Sequence, residues 1–342
     1  MKKNSKCEPH LPSDFLDKLH SYEASGLIPT KVALTIEQFF RSYLQALQEH
    51  HLDVSKHIGI FFEYLECIRG HLEKPTVFSS YHKMVRAPYD YHRFGIDFIT
   101  PLIHFDKSTI LGKNHLQQIY EHIQKGHNVI LFANHQIEAD PQVIYALLTT
   151  ACKALIPHLI FVAGERVLID PIAVPFSLGC NLLCIYSKRY IDHPPEQKSD
   201  KQHHNNRTMK RMKALLDEGG HCIYVAPSGG RDRPDSQGTI HPAPFDAQSI
   251  EMFYLMARHS ATPTFFYPLA LSTYQILPPP QTVQKELGEH RKTQASAVHL
   301  YFGSAISMES FPGSDTQDKH LRRKARADYI YDLVCQGYDQ FP

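Results

Sequence analysis

The chain has 342 residues, 42% of them hydrophobic, enough for one large domain, or a catalytic domain with a small companion, around a sizeable core. Lys and Arg total 36 against 35 Asp and Glu, a net charge of +1, which excludes attachment to nucleic acid by bulk charge. Seven cysteines, an odd number with no CxxC pair, exclude a disulfide scaffold and point to a reducing compartment.

The first residues, Met1-Lys2-Lys3-Asn4-Ser5 and then Cys7-Glu8-Pro9-His10, hold no apolar run, so no secretory leader is expected. A short helix is predicted after Ser13, with Phe15, Leu16 and Leu19 on one side and Gly26 beyond its end. A second follows on Ile36, Phe39, Phe40, Tyr43, Leu44 and Leu47, with Thr35 and Gln38 as a capping-box start. A third carries Ile58, Phe61, Phe62, Leu65, Ile68 and Leu72, with Ser55 as its cap. Apolar stripes of this kind bury one another, so residues 1–75 are expected to form a small helical bundle. Lys74-Pro75-Thr76 breaks the pattern, and residues 81–101 read as aromatic, basic and irregular.

From there the pattern alternates. Helices are predicted at 114–125, 141–150, 208–216 and 246–258, and from Asp315 onward; strands at 128–133, 159–163, 182–186, 222–226, 264–271 and 298–306. Strands alternating with helices predict an α/β fold for 76–342, with a mixed, mostly parallel sheet. The longest apolar stretch, 144–163, is interrupted by Lys153, Pro157 and His158 and reads as a helix followed by a strand rather than a membrane span.

Ligands of an α/β sheet gather beyond the strand ends, and three groups of residues fall there. The first is Asn134-His135-Gln136-Ile137-Glu138-Ala139-Asp140. An ordinary imidazole titrates at about pH 6.5 and can take a proton from a hydroxyl, the better if a carboxylate holds its other nitrogen, so His135 is a candidate base and Asp140 its orienting acid. The second is Pro227-Ser228-Gly229-Gly230-Arg231-Asp232-Arg233-Pro234. Gly229 and Gly230 let the backbone approach a ligand, and Arg231 and Arg233 offer planar forks to a phosphate or carboxylate; the plainer alternative is a surface turn in which Arg231 and Asp232 pair locally. The third, Lys188-Arg189-Tyr190, adds two cations and a phenol, or else a solvated basic turn. No Gly-x-Ser-x-Gly elbow occurs, which argues against a covalent acyl-enzyme, and no Walker loop occurs. Histidine, at 23 residues, is well above ordinary usage, but there is no HExxH, and the pairs His50-His51 and His203-His204 lie in polar surroundings. Solvated or hydrogen-bonded histidines are therefore expected in preference to metal ligands.

These residues carry a resemblance. The chain resembles the soluble, plastid-type glycerol-3-phosphate 1-O-acyltransferases of the HxxxxD glycerolipid acyltransferase superfamily. His135 to Asp140 match HxxxxD, within the longer string Ala133-Asn134-His135-Gln136-Ile137-Glu138-Ala139-Asp140-Pro141. Val162-Ala163-Gly164-Glu165-Arg166-Val167, Asp170-Pro171, Pro175-Phe176-Ser177 and Val225-Ala226-Pro227 with the cation block continue it. So do Pro242-Ala243-Pro244-Phe245-Asp246-Ala247, Pro278-Pro279-Pro280 and, earlier, Tyr81-His82-Lys83 with Val85-Arg86 and Pro88. The likeness runs from the helical start to about Gly303.

The resemblance implies a helical bundle followed by an α/β domain, no cofactor and no metal. It implies transfer of an acyl group from acyl–acyl carrier protein or acyl-CoA to the sn-1 hydroxyl of glycerol 3-phosphate. Its phosphate-binding cations fall on Arg231 and Arg233. A Lys-His pair usual in the family is replaced by Arg189 and Tyr190, which keeps one charge and loses an imidazole; Lys188 can supply part of the loss. An acidic carrier calls for a basic docking face, for which Arg322-Arg323-Lys324 with Arg326, or Lys83 and Arg86, are the candidates. The resemblance also leaves open transient contact at a membrane surface during product release. A cytoplasmic location is expected, or the plastid stroma if the chain is a processed form. A 1-acylglycerol-3-phosphate acyltransferase, a catalytically silent phosphate-binding relative and a histidine-rich metal binder are the competing readings.

Overall fold

The computed structural model describes residues 11–187, 191–280 and 291–342. The apolar rows near the start form α1 (Ser13–Ala24), α2 (Thr30–Glu49) and α3 (Gly59–Glu73). They meet through aromatic rings: Phe40 stacks on Phe61 with centroids 3.8 Å apart, and Phe15 meets Phe40 edge-on at 4.7 Å. Such pairs contribute ~0.5–1.5 kcal/mol each beyond area burial.

Two expected helix starts are corrected. α2 begins behind Pro29, and Thr35 lies buried inside it with its hydroxyl donating to Lys31 O at 2.8 Å. A threonine bonded back to the preceding turn cannot cap. Ser55 belongs to a separate short 3-10 turn capped by Asp53, whose carboxylate accepts from Ser55 N at 3.1 Å, and α3 starts only at Gly59. The segment read as irregular contains β1 (Tyr81–His82) and α4 (Tyr91–Ile99). Asp90 caps α4 by accepting from Arg93 N at 2.9 Å.

The remainder runs β2 (Thr109–Leu111), α5 (Lys113–Gln124), β3 (Asn128–Ala133), α6 (Asp140–Ala151), β4 (Leu159–Gly164), α7 (Arg166–Ile169), α8 (Val174–Ser177), β5 (Leu182–Ile185), α9 (Lys198–Glu218), β6 (Cys222–Val225), α10 (Ala247–Arg258), β7 (Thr264–Ser272), β8 (His299–Phe302) and α11 (Lys319–Tyr338). α9 starts ten residues before the predicted 208, because its first turns are polar and carry no apolar row. β8 is correspondingly shorter than the stretch predicted from alternation.

The strands form one 8-stranded sheet in the order β1-β5-β4-β6-β3-β7-β8-β2. The pairings are parallel except β1 with β5 and β7 with β8, so the mixed, mostly parallel sheet is as expected. Alternate residues of β3 feed two cores. Val129, Leu131 and Ala133 join the core under the amino-terminal helices, α5 and α6, while Ile130 and Phe132 join the one under α9, α10 and α11. The first core continues into the amino-terminal helices, where Tyr43 donates to Phe98 O at 2.9 Å and Tyr64 to Ile172 O at 2.7 Å. β3 is buried along its whole length between β6 and β7. The carboxyl ends of these three strands therefore open on one edge, where a parallel sheet holds its ligands.

Candidate active site

The loop from β3 to α6 is fastened by alternate residues. Asn134 is buried; its amide accepts from Leu271 N at 2.8 Å and donates to Leu271 O at 3.0 Å, imitating a ladder pair on β7. Gln136 is buried as well, accepting from Thr273 N at 2.7 Å and Tyr274 N at 2.9 Å. Both amides also donate to the Asp232 carboxylate, at 2.8 and 3.2 Å. The carbonyl of Asn134 accepts from the buried hydroxyl of Tyr224 at 2.7 Å. His135, between these anchors, keeps 30% of its side chain accessible.

His135 Nδ1 lies 2.7 Å from Asp140 Oδ2. Asp140, fully buried at the first position of α6, also accepts from Gln136 N at 2.8 Å, Ile137 N at 3.3 Å and the Thr273 hydroxyl at 2.5 Å. An ionised carboxylate only accepts, and these donors with the imidazole occupy both oxygens. This network assigns the His135 proton to Nδ1 and leaves the Nε2 lone pair for a hydroxyl brought to the loop.

The cation loop follows β6. Asp232 is not the surface partner of Arg231 that a solvated turn would give: it is fully buried and satisfied by Asn134, Gln136 and, at 2.9 Å, Ala243 N. Burial pushes its carboxyl up to about 6 against the pull of those bonds. Arg233 folds over its own loop, donating to Arg231 O and Asp232 O, both at 3.0 Å. Gly229 has φ +66°, the left-handed region that disfavours a side chain, and a Cβ at Gly229 or Gly230 would meet nothing within 4 Å. That backbone faces open space.

Arg231, 16% accessible, stands 3.8 Å from Glu138 Oε1. The other oxygen of Glu138 accepts from Arg291 Nη2 at 2.7 Å and Nε at 3.0 Å. Burial pushes the Glu138 carboxyl up, but Arg291, Arg231 and Arg166 outweigh it and hold the group below its ordinary value. Arg291 is 4% accessible and lies 3.6 Å from Asp170 Oδ2.

The structure thus brings together His135, Asp140, Arg231, Arg233, Gly229 and Gly230 on one edge. Lys188, Arg189 and Tyr190 lie outside the described residues. Sequence reasoning did not single out Gln136, Thr273, Glu138 or Arg291, and quoted Asp232 without its burial. Glu138 and Gln136 stood inside the histidine string; Thr273 and Arg291 carried no local signal. Arg322 lies sixteen positions before Tyr338 on α11, and Tyr338 accepts from Gln136 at 3.3 Å beside the site. At a rise of 1.5 Å per residue, the cation cluster of α11, Arg322 to Arg326, is roughly 18–24 Å away along the helix. Arg86, the alternative, pairs with Asp90 at 3.1 Å.

Residues 115–272 match the family model described as Acyltransferase. The chain is 39% identical over 318 residues to a chloroplastic glycerol-3-phosphate acyltransferase of Cucurbita moschata, covering 92% of this chain and 69% of that one. A second protein of that name from the same plant is 38% identical over 344 residues, with 96% and 77% covered. The Arabidopsis thaliana protein of that name is 35% identical over 332 residues, with 95% and 72% covered.

Proposed function

The chain belongs to the glycerol-3-phosphate acyltransferase family, and on that premise we propose that it acylates the sn-1 hydroxyl of glycerol 3-phosphate through His135. The observation that carries the reading is the His135–Asp140 pair at 2.7 Å, set beside Arg231 and Arg233 on one sheet edge. Arg231 and Arg233, with Arg189, Lys188 and Tyr190, hold the phosphate, and the backbone at Gly229 and Gly230 lies close against it. His135 Nε2 removes the proton of the sn-1 hydroxyl as its oxygen attacks the thioester carbonyl. The new C–O bond forms, the C–S bond breaks, and the thiol leaves with a proton returned from the imidazolium. Asp140 stabilises that imidazolium. General-base catalysis of this kind contributes ~10²–10⁴-fold, and fixing the acceptor contributes further.

The donor is acyl–acyl carrier protein or acyl-CoA; its thioester is already activated, so the step needs no cofactor. The named relatives are chloroplastic, and no helix among the described residues is long and apolar enough to cross a membrane. The cysteines among the described residues are free thiols. We place the protein in a reducing compartment, the plastid stroma or a cytoplasm.

The test is transfer of labelled acyl groups from each donor to glycerol 3-phosphate, 1-acylglycerol 3-phosphate and glycerol. Acylated glycerol 3-phosphate from the native chain, collapse of kcat in His135→Ala and a raised acceptor KM in Arg231→Ala are expected. A folded native chain that makes no product with either donor overturns the proposal, and preference for the acylated acceptor replaces it with the second acylation.

A further inference from the structure

Glu138 stands between two guanidiniums at unequal distances. Arg291 gives two charge-assisted bonds, at 2.7 and 3.0 Å, to one oxygen, while Arg231 stays 3.8 Å from the other, beyond hydrogen-bond reach. Arg291 is itself fixed. It is 4% accessible and faces Asp170 at 3.6 Å; Asp170 accepts from Ile172 N at 3.1 Å, and Tyr64 of α3 donates to Ile172 O at 2.7 Å. The arginine is thus held by a buried frame that reaches into the amino-terminal helices.

We propose that Arg291 is a positioning residue for the acceptor: by engaging Glu138 it keeps that carboxylate from neutralising Arg231, and so sets the affinity for the phosphate dianion. The inference rests on the reading above, in which Arg231 binds the phosphate. Without Arg291, the guanidiniums of Arg231 and Arg166 still act on the Glu138 charge, and Arg231 stands 3.8 Å from it. That charge draws Arg231 toward itself and repels an incoming dianion, so acceptor and carboxylate compete for one guanidinium. In this proposal Arg291 acts on Glu138 rather than on the hydroxyl or the thioester. Its influence passes through the charge of Glu138 and vanishes when that charge is removed.

The experiment is a double-mutant cycle on the full chain: native, Arg291→Ala, Glu138→Gln and the double variant, with Arg231→Ala as control. Acceptor KM, donor KM and kcat are measured, and calorimetric titration with glycerol 3-phosphate reads the same pattern as Kd without turnover. Arg291→Ala should raise acceptor KM and Kd about tenfold or more, with donor KM unchanged and kcat within about threefold. In the Glu138→Gln background the same change should move acceptor Kd less than about threefold. Equal losses in both backgrounds, or a lower kcat together with a rise in both KM values, overturn the proposal in favour of a structural role. Where Arg291→Ala does not fold, Arg291→Lys carries the same comparison: it keeps the charge, lacks the fork, and should show a smaller loss that Glu138→Gln again removes. An unchanged acceptor Kd in Arg231→Ala refutes the underlying phosphate reading, whereas a weakened Arg231→Ala beside an unchanged Arg291→Ala refutes only the role of Arg291.

Discussion

The backbone N–H of Asp232 donates to the carbonyl oxygen of His135 across 2.6 Å. The loop that carries the base and the loop that carries the cations are thereby joined at their middle residues. The buried carboxylate of Asp232 reinforces the joint from below through Asn134 and Gln136. The acceptor's own chain bounds the distance between its phosphate and its hydroxyl, and loops that cannot slide select one distance within that range.

Asp140 has three donors besides His135, and each makes a different contribution. Asp140→Asn places an amide donor where the Nδ1 proton and Gln136 N converge, which favours the wrong tautomer. It should lower kcat by ~10²–10⁴ with acceptor KM within a few-fold. Thr273→Val removes one charge-assisted bond, worth ~1.5–3 kcal/mol. It should lower kcat about tenfold or more. Single-turnover acyl transfer separates the two.

Asp232 makes stability depend on pH in a stated direction. Its carboxyl is raised from 3.8 to about 6 by burial, so between these values the folded chain keeps a proton that the unfolded chain releases. Stability from this group is complete at low pH and is lost as pH rises through about 6. At 1.36 kcal/mol per unit the loss is roughly 3 kcal/mol. Urea unfolding of the native chain and Asp232→Asn at several pH values should show the native advantage shrinking from pH 4 to about 7. A constant difference would contradict the assignment.

Arg231 and Arg233 should separate by assay. Arg231→Ala should raise acceptor KM. Arg233→Ala also frees two carbonyls of its own loop, so it should raise KM and lower the melting temperature by several degrees. Glycerol as acceptor, which has no phosphate, should be insensitive to Arg231→Ala.

Tyr64→Phe leaves the buried carbonyl of Ile172 without its donor. A cost of ~1–3 kcal/mol is expected, with kcat within about threefold. The urea midpoint should move while turnover per folded molecule does not.

The parts of this structure that sequence made visible are those whose cause is local. β3 is a short apolar run with a polar stop, and α6 starts at an Asp-Pro step. The histidine loop and the glycine–arginine loop each fit in a few consecutive residues. The parts that stayed hidden depend on distant partners. α4 spans only nine residues and is interrupted by Gly95, too short for a clear stripe. Thr35 with Gln38 matched a cap signature, but Pro29 starts the helix earlier. Asp232 looks solvated beside two arginines until the amides of Asn134 and Gln136 are brought over it. Glu138 and Arg291 lie 153 positions apart, a separation no spacing rule covers.

The central place of β3 also imposes an order on synthesis. Asn134 finds its β7 partner 137 residues later in the chain. At ~5–20 residues per second a ribosome needs roughly 7–27 s to add that much chain. β6 and the Asp232 carboxylate emerge first, Asp232 98 residues after Asn134, so through the rest of the interval only the β7 side of the strand and loop stays open. Competence for acyl transfer therefore arrives late, once the chain has been made past Leu271. A protease pulse during translation should find the β7 side of this loop open until Leu271 has emerged.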